Sequence, residues 1–115
     1  MRLTLFNGDC LEIMSTLSDS CVDMIFCDLP YGTTQNSWDT VIPFDDLWEV
    51  YRRIVKENGA IVLTAQSPFD KTLAYSNLKD FRYEWIWEKN KATGHLNAKK
   101  MPLKSHENVL IFYWE

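Results

Sequence analysis

The sequence predicts an α/β domain built on an open mixed sheet, with parallel strands first and an antiparallel pair last. Three observations carry this. Two short apolar runs, Val22–Cys27 and Ala60–Thr64, flank a stretch of helical spacing. That is the pattern of a βαβ unit, whose two strands lie parallel with a right-handed crossover. Phe81, Tyr83, Trp85 and Trp87 alternate with Arg82, Glu84, Ile86 and Glu88, the period of two of a half-buried strand. Asn108 to Trp114 is apolar on both faces, which calls for neighbours on both sides and for an antiparallel pairing with the preceding strand.

The elements follow in order. Leu3 to Phe6 is a short strand candidate, broken by Asn7-Gly8-Asp9. Cys10, Ile13, Met14 and Leu17 then recur at i, i+3, i+4, i+7, a helical stripe. Asp9 with Glu12 three residues on makes a capping box, Asp standing where Ser or Thr is usual. Ser18-Asp19-Ser20 turns the chain into the strand that ends in Asp28-Leu29-Pro30-Tyr31-Gly32. A carboxylate leads this cluster, a proline stiffens it, an aromatic ring follows, and a glycine frees the exit. At the carboxyl end of a strand in an open α/β sheet, it lies where ligands bind. Ordinary turn chemistry accounts for Asp-x-Pro-x-Gly as well, and both readings stand at this point.

Residues 33 to 40 form a polar loop holding Trp38, of the length of a lid or binding loop. Phe44, Leu47, Trp48, Tyr51, Ile54 and Val55 mark an amphipathic helix. Pro43, Asp45 and Asp46 suit its start, and Arg52, Arg53 and Lys56 its end, with Asn58-Gly59 closing it. After the strand Ala60–Thr64, Ser67 as N-cap and Pro68 at the first position open a less regular helix to about Asn77. A basic loop, 89–104, joins the last two strands.

At 115 residues with no internal repeat, the chain reads as one domain, 1–115. No transmembrane run or signal peptide is apparent, since the N-terminus passes straight into Leu3-Thr4-Leu5-Phe6; no membrane partner is expected. Cys10, Cys21 and Cys27 are odd in number and lack C-x-x-C spacing. They read as reduced packing residues of a cytoplasmic protein. His95 and His106 have no carboxylate or Cys at ligand spacing, so no metal is assigned, and His106 reads as structural. The net charge of −4 argues against a polyanionic partner, but its distribution argues for one. Lys89 to Lys104 holds five lysines and His95 with no acid, while the rest of the chain sets seven basic residues against all 16 acidic ones. A solvated lysine loop is the plainer alternative.

The chemistry that such a cluster suits is reaction at an aromatic amine, such as the exocyclic amino group of adenine. Its lone pair is delocalised into the ring. Two acceptors aimed at its two N–H bonds pull the nitrogen toward a tetrahedral form and free that pair. Asp28 offers a carboxylate and Leu29, held by the following proline, a carbonyl. Tyr31 offers a stacking face worth about 1–3 kcal/mol. A base inside a duplex is out of reach, so it would have to be flipped out.

Asp28-Leu29-Pro30-Tyr31 resembles the [DNS]-P-P-[YFW] motif of the amino-group DNA methyltransferases, which use S-adenosylmethionine. Asn7-Gly8-Asp9-Cys10, the Val-Asp-x-Ile run, Trp85-x-Trp-x-Lys89 and His106-Glu107 resemble its flanks, so the likeness spans nearly the whole chain. It implies a Rossmann-like methyltransferase fold of the subgroup whose catalytic motif precedes the cofactor glycine loop. The acidic first position resembles the adenine-N6 enzymes, and the reaction implied is methylation of adenine in double-stranded DNA. By resemblance Asp28, Leu29, Pro30 and Tyr31 are catalytic, and Asp9, Cys10, Asp28 and Pro30 meet S-adenosylmethionine. Lys89, Lys91, Lys99 and Lys100 meet DNA phosphates, a contact weakened by salt. Trp38 and Trp87 are candidates for a second wall against the base, with packing as the alternative.

Two departures shape the expectation. Leu29 stands where the family has proline. The chain's glycines form no Phe-x-Gly-x-Gly loop, so the expectation is a catalytic half, with a homodimer or a second chain as the source of a cofactor half. A cytosine-N4, RNA or protein-amide methyltransferase fits the same pocket, and a noncatalytic nucleic-acid-binding remnant or subunit fits the missing loop.

Overall fold

The computed structural model describes residues 1–32, 36–37, 39–93 and 104–114. Seven elements follow in order: α1 (Cys10–Ser15), β1 (Val22–Asp28), α2 (Phe44–Ile54), β2 (Val55–Ala65), α3 (Phe69–Ser76), β3 (Phe81–Thr93) and β4 (Lys104–Phe112). The strands form one sheet in the order β1-β2-β4-β3. β1 and β2 are parallel, and β4 runs antiparallel to both its neighbours. The α/β class and the parallel-then-antiparallel arrangement are therefore as the sequence predicts. β4 is apolar on both faces because it is an inner strand, flanked by β2 and β3.

α2 forms because its apolar residues recur at helical spacing, with Asp45 and Asp46 in the first turn and Arg52 and Arg53 in the last. It buries Leu47, Tyr51 and Ile54. With α3 it covers the sheet face bearing Ile61, Leu63, Leu110 and Phe112, all essentially inaccessible to solvent. The Trp48 ring meets Phe112 at 4.6 Å between centroids. This layer is the core, and it fixes the carboxyl ends of β1 and β2 side by side. On the opposite face Met24, Phe26, Tyr83 and Trp85 stay exposed.

Several local expectations are corrected. Leu3–Phe6 is not a strand: residues 1–7 have no regular structure, and Leu3, Leu5 and Phe6 are exposed. A four-residue apolar run needs a ladder partner and a packed face, and here it has neither. In α1 the packed residues are Leu11 and Met14, continued by Leu17, while Cys10 is exposed. Asp9 caps the helix through the Glu12 amide, so Cys10 starts the first turn away from the core. Cys21 is exposed as well, so only Cys27 fits the packing role expected of the three thiols.

α2 stops at Ile54, and Val55 already pairs with Val22; the next pair is Met24 with Ala60. Asn58-Gly59 is thus a bulge inside β2, with Asn58 at φ 67°, and not a helix terminator. Pro68, not Ser67, takes the N-cap position of α3, without a side-chain cap bond. β3 runs on to Thr93 and β4 begins at Lys104, so Lys89, Lys91 and Lys104 sit on strands and not in a loop. Finally, the aromatic row of β3 is split. The register shifts between Phe81 and Tyr83, which sends Phe81 to the Phe112 side and leaves Tyr83, Trp85 and Trp87 on the exposed side.

Candidate active site

Parallel pairing brings Asp28 opposite Thr64 at the last rung of β1 and β2. The buried Thr64 hydroxyl donates to Asp28 Oδ1 at 2.8 Å, while the aspartate itself is exposed. Among the described residues Oδ2 has no hydrogen-bond partner and is open to a donor. Leu29 turns its side chain into the core, 4% exposed, which anchors the backbone between Asp28 and Pro30. The residue that departs from the family motif is therefore accommodated by packing and does not obstruct the cleft with its side chain.

Tyr31 stacks on Phe69 of α3, with centroids 4.8 Å apart and planes 27° from parallel. One ring face is thus already used. Its hydroxyl stands 3.3 Å from Glu107 Oε1 and 3.5 Å from Asp28 Oδ1. Partial burial first, then the charges of Asp28 and Glu107, push this phenol well above the usual tyrosine range. It is a hydrogen-bond donor at any working pH.

Gly32 turns the chain at φ +75°, and its amide donates to Asp39 Oδ1 at 3.0 Å. A Cβ here would lie 2.9 Å from Val41 Cγ2, so the position favours glycine on space as well as on φ. The turn folds Asp39 to Pro43 back as a second wall. The resulting cleft has a volume of about 790 Å³, and Asp9, Cys10, Asp28, Pro30, Tyr31 and Glu107 are among its lining residues. This is within the size range of small-molecule sites. Burial, then the charge of Asp9, raises the Cys10 thiol, which keeps it protonated and a poor nucleophile.

The structure thus brings Asp9, Cys10, Asp28, Leu29, Pro30 and Tyr31 to one cleft. Asp9 also serves as the α1 cap, its carboxylate accepting from the Glu12 amide at 3.2 Å. Lys89 differs from expectation. Its ammonium is 3.4 Å from Glu107 Oε2, and its side chain is only 24% exposed. The acid-free run in the sequence acquires a carboxylate across the β3–β4 ladder, where Trp87 faces Glu107. Trp87 lies beneath Lys89, 5.8 Å from ammonium to ring centre, rather than along the cleft. Lys91 belongs to β3, its side chain lying outside the described residues, as do Trp38, His95, Lys99 and Lys100. Among the described residues no group of His, Cys, Asp and Glu could hold a metal ion, and no helix is long and apolar enough to cross a membrane.

Sequence reasoning missed Thr64, Asp39, Phe69 and, as a site residue, Glu107. Thr64 was within reach, because a strand predicted parallel to β1 must end beside Asp28. The others come from separate segments, and no local spacing signals them.

Residues 24–110 match the model of a family described as Poxvirus D5 protein-like. Among solved structures, the chain is similar to TTHA0409 of Thermus thermophilus, a putative DNA modification methylase (TM-score 0.69, 17% identity, 93% of this chain and 50% of that one). It is similar also to the PvuII DNA methyltransferase, described as cytosine-N4-specific (0.71, 13%, 93% and 48%). A third likeness is to M1.HpyAVI, solved as a complex with SAM (0.66, 19%, 92% and 53%). The fold is therefore the Rossmann-like fold of these methyltransferase structures, and the chain spans about half the length of each.

Proposed function

The chain belongs to the Poxvirus D5 protein-like family, and from its fold and its cleft we propose that it carries the catalytic part of an S-adenosylmethionine-dependent DNA adenine-N6 methyltransferase. The family's description names no reaction, so the cleft carries the reading. The single supporting observation is Asp28: a carboxylate at a strand end, held on one oxygen by Thr64 and, among the described residues, without a partner on the other, beside a tyrosine ring and a cleft of about 790 Å³.

In this reading a flipped adenine enters with its amino group toward Asp28. Asp28 Oδ2 and the Leu29 carbonyl accept its two N–H bonds and free the nitrogen lone pair. Pro30 stiffens the backbone that presents both acceptors, and the Tyr31 ring, backed by Phe69, offers its remaining face to the base. The residues fit the cofactor that the fold implies: Asp9 and Cys10 would meet its adenine ring, and Asp28 and Pro30 its methionine end, all along one cleft. S-adenosylmethionine, when bound, supplies an electrophilic methyl group. Lys89, Lys91, Lys99 and Lys100 would take DNA phosphates.

The second reading, cytosine-N4 methylation, is favoured by the likeness to the PvuII enzyme; both bases present an amino group to the same two acceptors. The acidic residue at position 28 favours adenine. The test is calorimetric titration with S-adenosylmethionine, then digestion of duplex DNA incubated with protein and methyl-labelled cofactor. Saturable heat and labelled N6-methyladenine are expected. Labelled N4-methylcytosine would replace the first reading with the second, and no saturable heat would leave a noncatalytic nucleic-acid-binding subunit.

A further inference from the structure

Tyr31 has one hydroxyl proton and two carboxylates facing it. Glu107 Oε1 is at 3.3 Å and Asp28 Oδ1 at 3.5 Å, so the proton is shared and neither bond is short. Asp28 Oδ1 also accepts from Thr64 at 2.8 Å, which makes it a more heavily engaged oxygen than Glu107 Oε1. Glu107 is 12% exposed, and its other oxygen lies 3.4 Å from the Lys89 ammonium. Lys89 in turn rests over the Trp87 ring with about a quarter of its side chain in solvent. Among the described residues, Lys89 is thus a cation placed between the cleft and the surface.

We propose that Glu107 is a positioning residue for Tyr31, and that Lys89 couples this hold to the binding of a backbone phosphate. The inference rests on reading the cleft as a nucleobase site in a DNA-binding protein. A phosphate that takes Lys89 removes the cation from Glu107. The carboxylate, now uncompensated, attracts the Tyr31 proton more strongly. Tyr31 then leaves Asp28 Oδ1, which keeps only the Thr64 hydroxyl, and the carboxylate, with one donor fewer drawing on its charge, becomes a stronger acceptor at Oδ2 for the amino group of the base. Engagement of the strand outside the cleft thus prepares the acceptor inside it.

This coupling makes a prediction that a structural role for Glu107 does not. Glu107 competes with phosphate for Lys89, so removing its charge must improve DNA binding. The experiment is fluorescence anisotropy of a labelled duplex with the full chain across a salt series. The proteins are the wild type, Glu107→Gln, Lys89→Gln and the double variant, each checked by circular dichroism. Glu107→Gln should bind about two- to fivefold tighter, the range of a partly exposed ion pair. Lys89→Gln should bind more weakly, with a log–log salt slope smaller by about 0.9, one phosphate contact. The double variant should match Lys89→Gln, because the gain acts only through that lysine.

Unchanged or weaker binding by Glu107→Gln, or a gain that persists without Lys89, would overturn the coupling while leaving the DNA reading intact. Absence of salt-dependent binding by every protein, wild type included, would overturn the DNA reading and the coupling with it. Should Glu107→Gln fail to fold, Glu107→Asp, whose shorter side chain draws the carboxylate away from Lys89, is measured in the same series with and without Lys89→Gln. Tighter binding confined to the protein that keeps Lys89 is expected. Unchanged or weaker binding by Glu107→Asp would contradict the network.

Discussion

Asp28 and Thr64 meet because two parallel strands end at the same level, and their 2.8 Å hydrogen bond orients the carboxylate that the proposed chemistry needs. Thr64→Val removes that donor with little change in volume. A hydrogen bond to a charged acceptor contributes about 1.5–3 kcal/mol. Methyl transfer by the variant should therefore fall roughly ten- to a hundredfold, measured as a single-turnover rate, with an unchanged circular dichroism spectrum. An unchanged rate would mean that Thr64 does not hold Asp28 in the reacting geometry. Tyr31 separates into two functions on the same logic. Tyr31→Phe keeps the ring on Phe69 and loses only the hydroxyl, whereas Tyr31→Ala loses a stacking surface worth about 1–3 kcal/mol per base. Base affinity, read with a 2-aminopurine duplex, should drop for alanine and hold for phenylalanine.

At the scale of elements, the bulge in β2 and the α3–β4 contact do most to fix the site's frame. A Cβ on Gly59 would come within 2.8 Å of two backbone carbonyl oxygens, those of Asp23 and Lys56. Backbone cannot step aside as a side-chain tip can, so Gly59→Ala should cost about 1–3 kcal/mol in urea unfolding, the usual range for overpacking. Asn108 donates to the buried Asp70 at 2.6 Å, tying α3 to the strand that carries Glu107. Asn108→Ala leaves the buried Asp70 carboxylate with Lys71 as its partner and removes the tie to β4, and should cost about 1–3 kcal/mol by the same measurement. The extents of the elements show what was legible in the sequence. Periodicity located α2, β1 and the core of β2, because each has a strong apolar rhythm and each is packed. It placed Asn58-Gly59 at a helix end, because a left-handed residue followed by glycine looks the same at a C-cap and in a bulge. Only the ladder with β1 distinguishes them. It made Leu3–Phe6 a strand, because apolar composition carries no information about whether a partner edge is present.

At the scale of the molecule, the charge asymmetry was visible in the sequence, but its local pairing was not: Lys89 meets Glu107 through strand register, across a stretch that reads as purely basic. The exposed sheet face was equally hidden, because the alternation of β3 does not say which side the helices take. Trp85 is 63% exposed there, so Trp85→Lys should leave stability within about 0.5 kcal/mol of wild type, in contrast to the core. Stability should also depend on alkaline pH. Burial, followed by neighbouring acidic groups and thiols, raises the phenols of Tyr31 and Tyr51 above the usual value near 10. In the fold they stay neutral where those of the unfolded chain ionise. Their contribution is therefore intact below about pH 10 and lost progressively above it. The urea midpoint should begin to fall above about pH 9, where the Cys10 and Cys27 thiols, also raised by burial, ionise in the unfolded chain. It should fall further above about pH 10, and Tyr51→Phe should flatten that later decline. All of this depends on one placement, that of an aspartate at the open end of β1 facing a cleft of about 790 Å³. The most direct test is transfer of a labelled methyl group to duplex DNA by the wild-type chain and by Asp28→Ala, with both folds verified. The account predicts label on adenine with the wild type and none with the variant. Equal labelling by both, or none by the wild type, would contradict it.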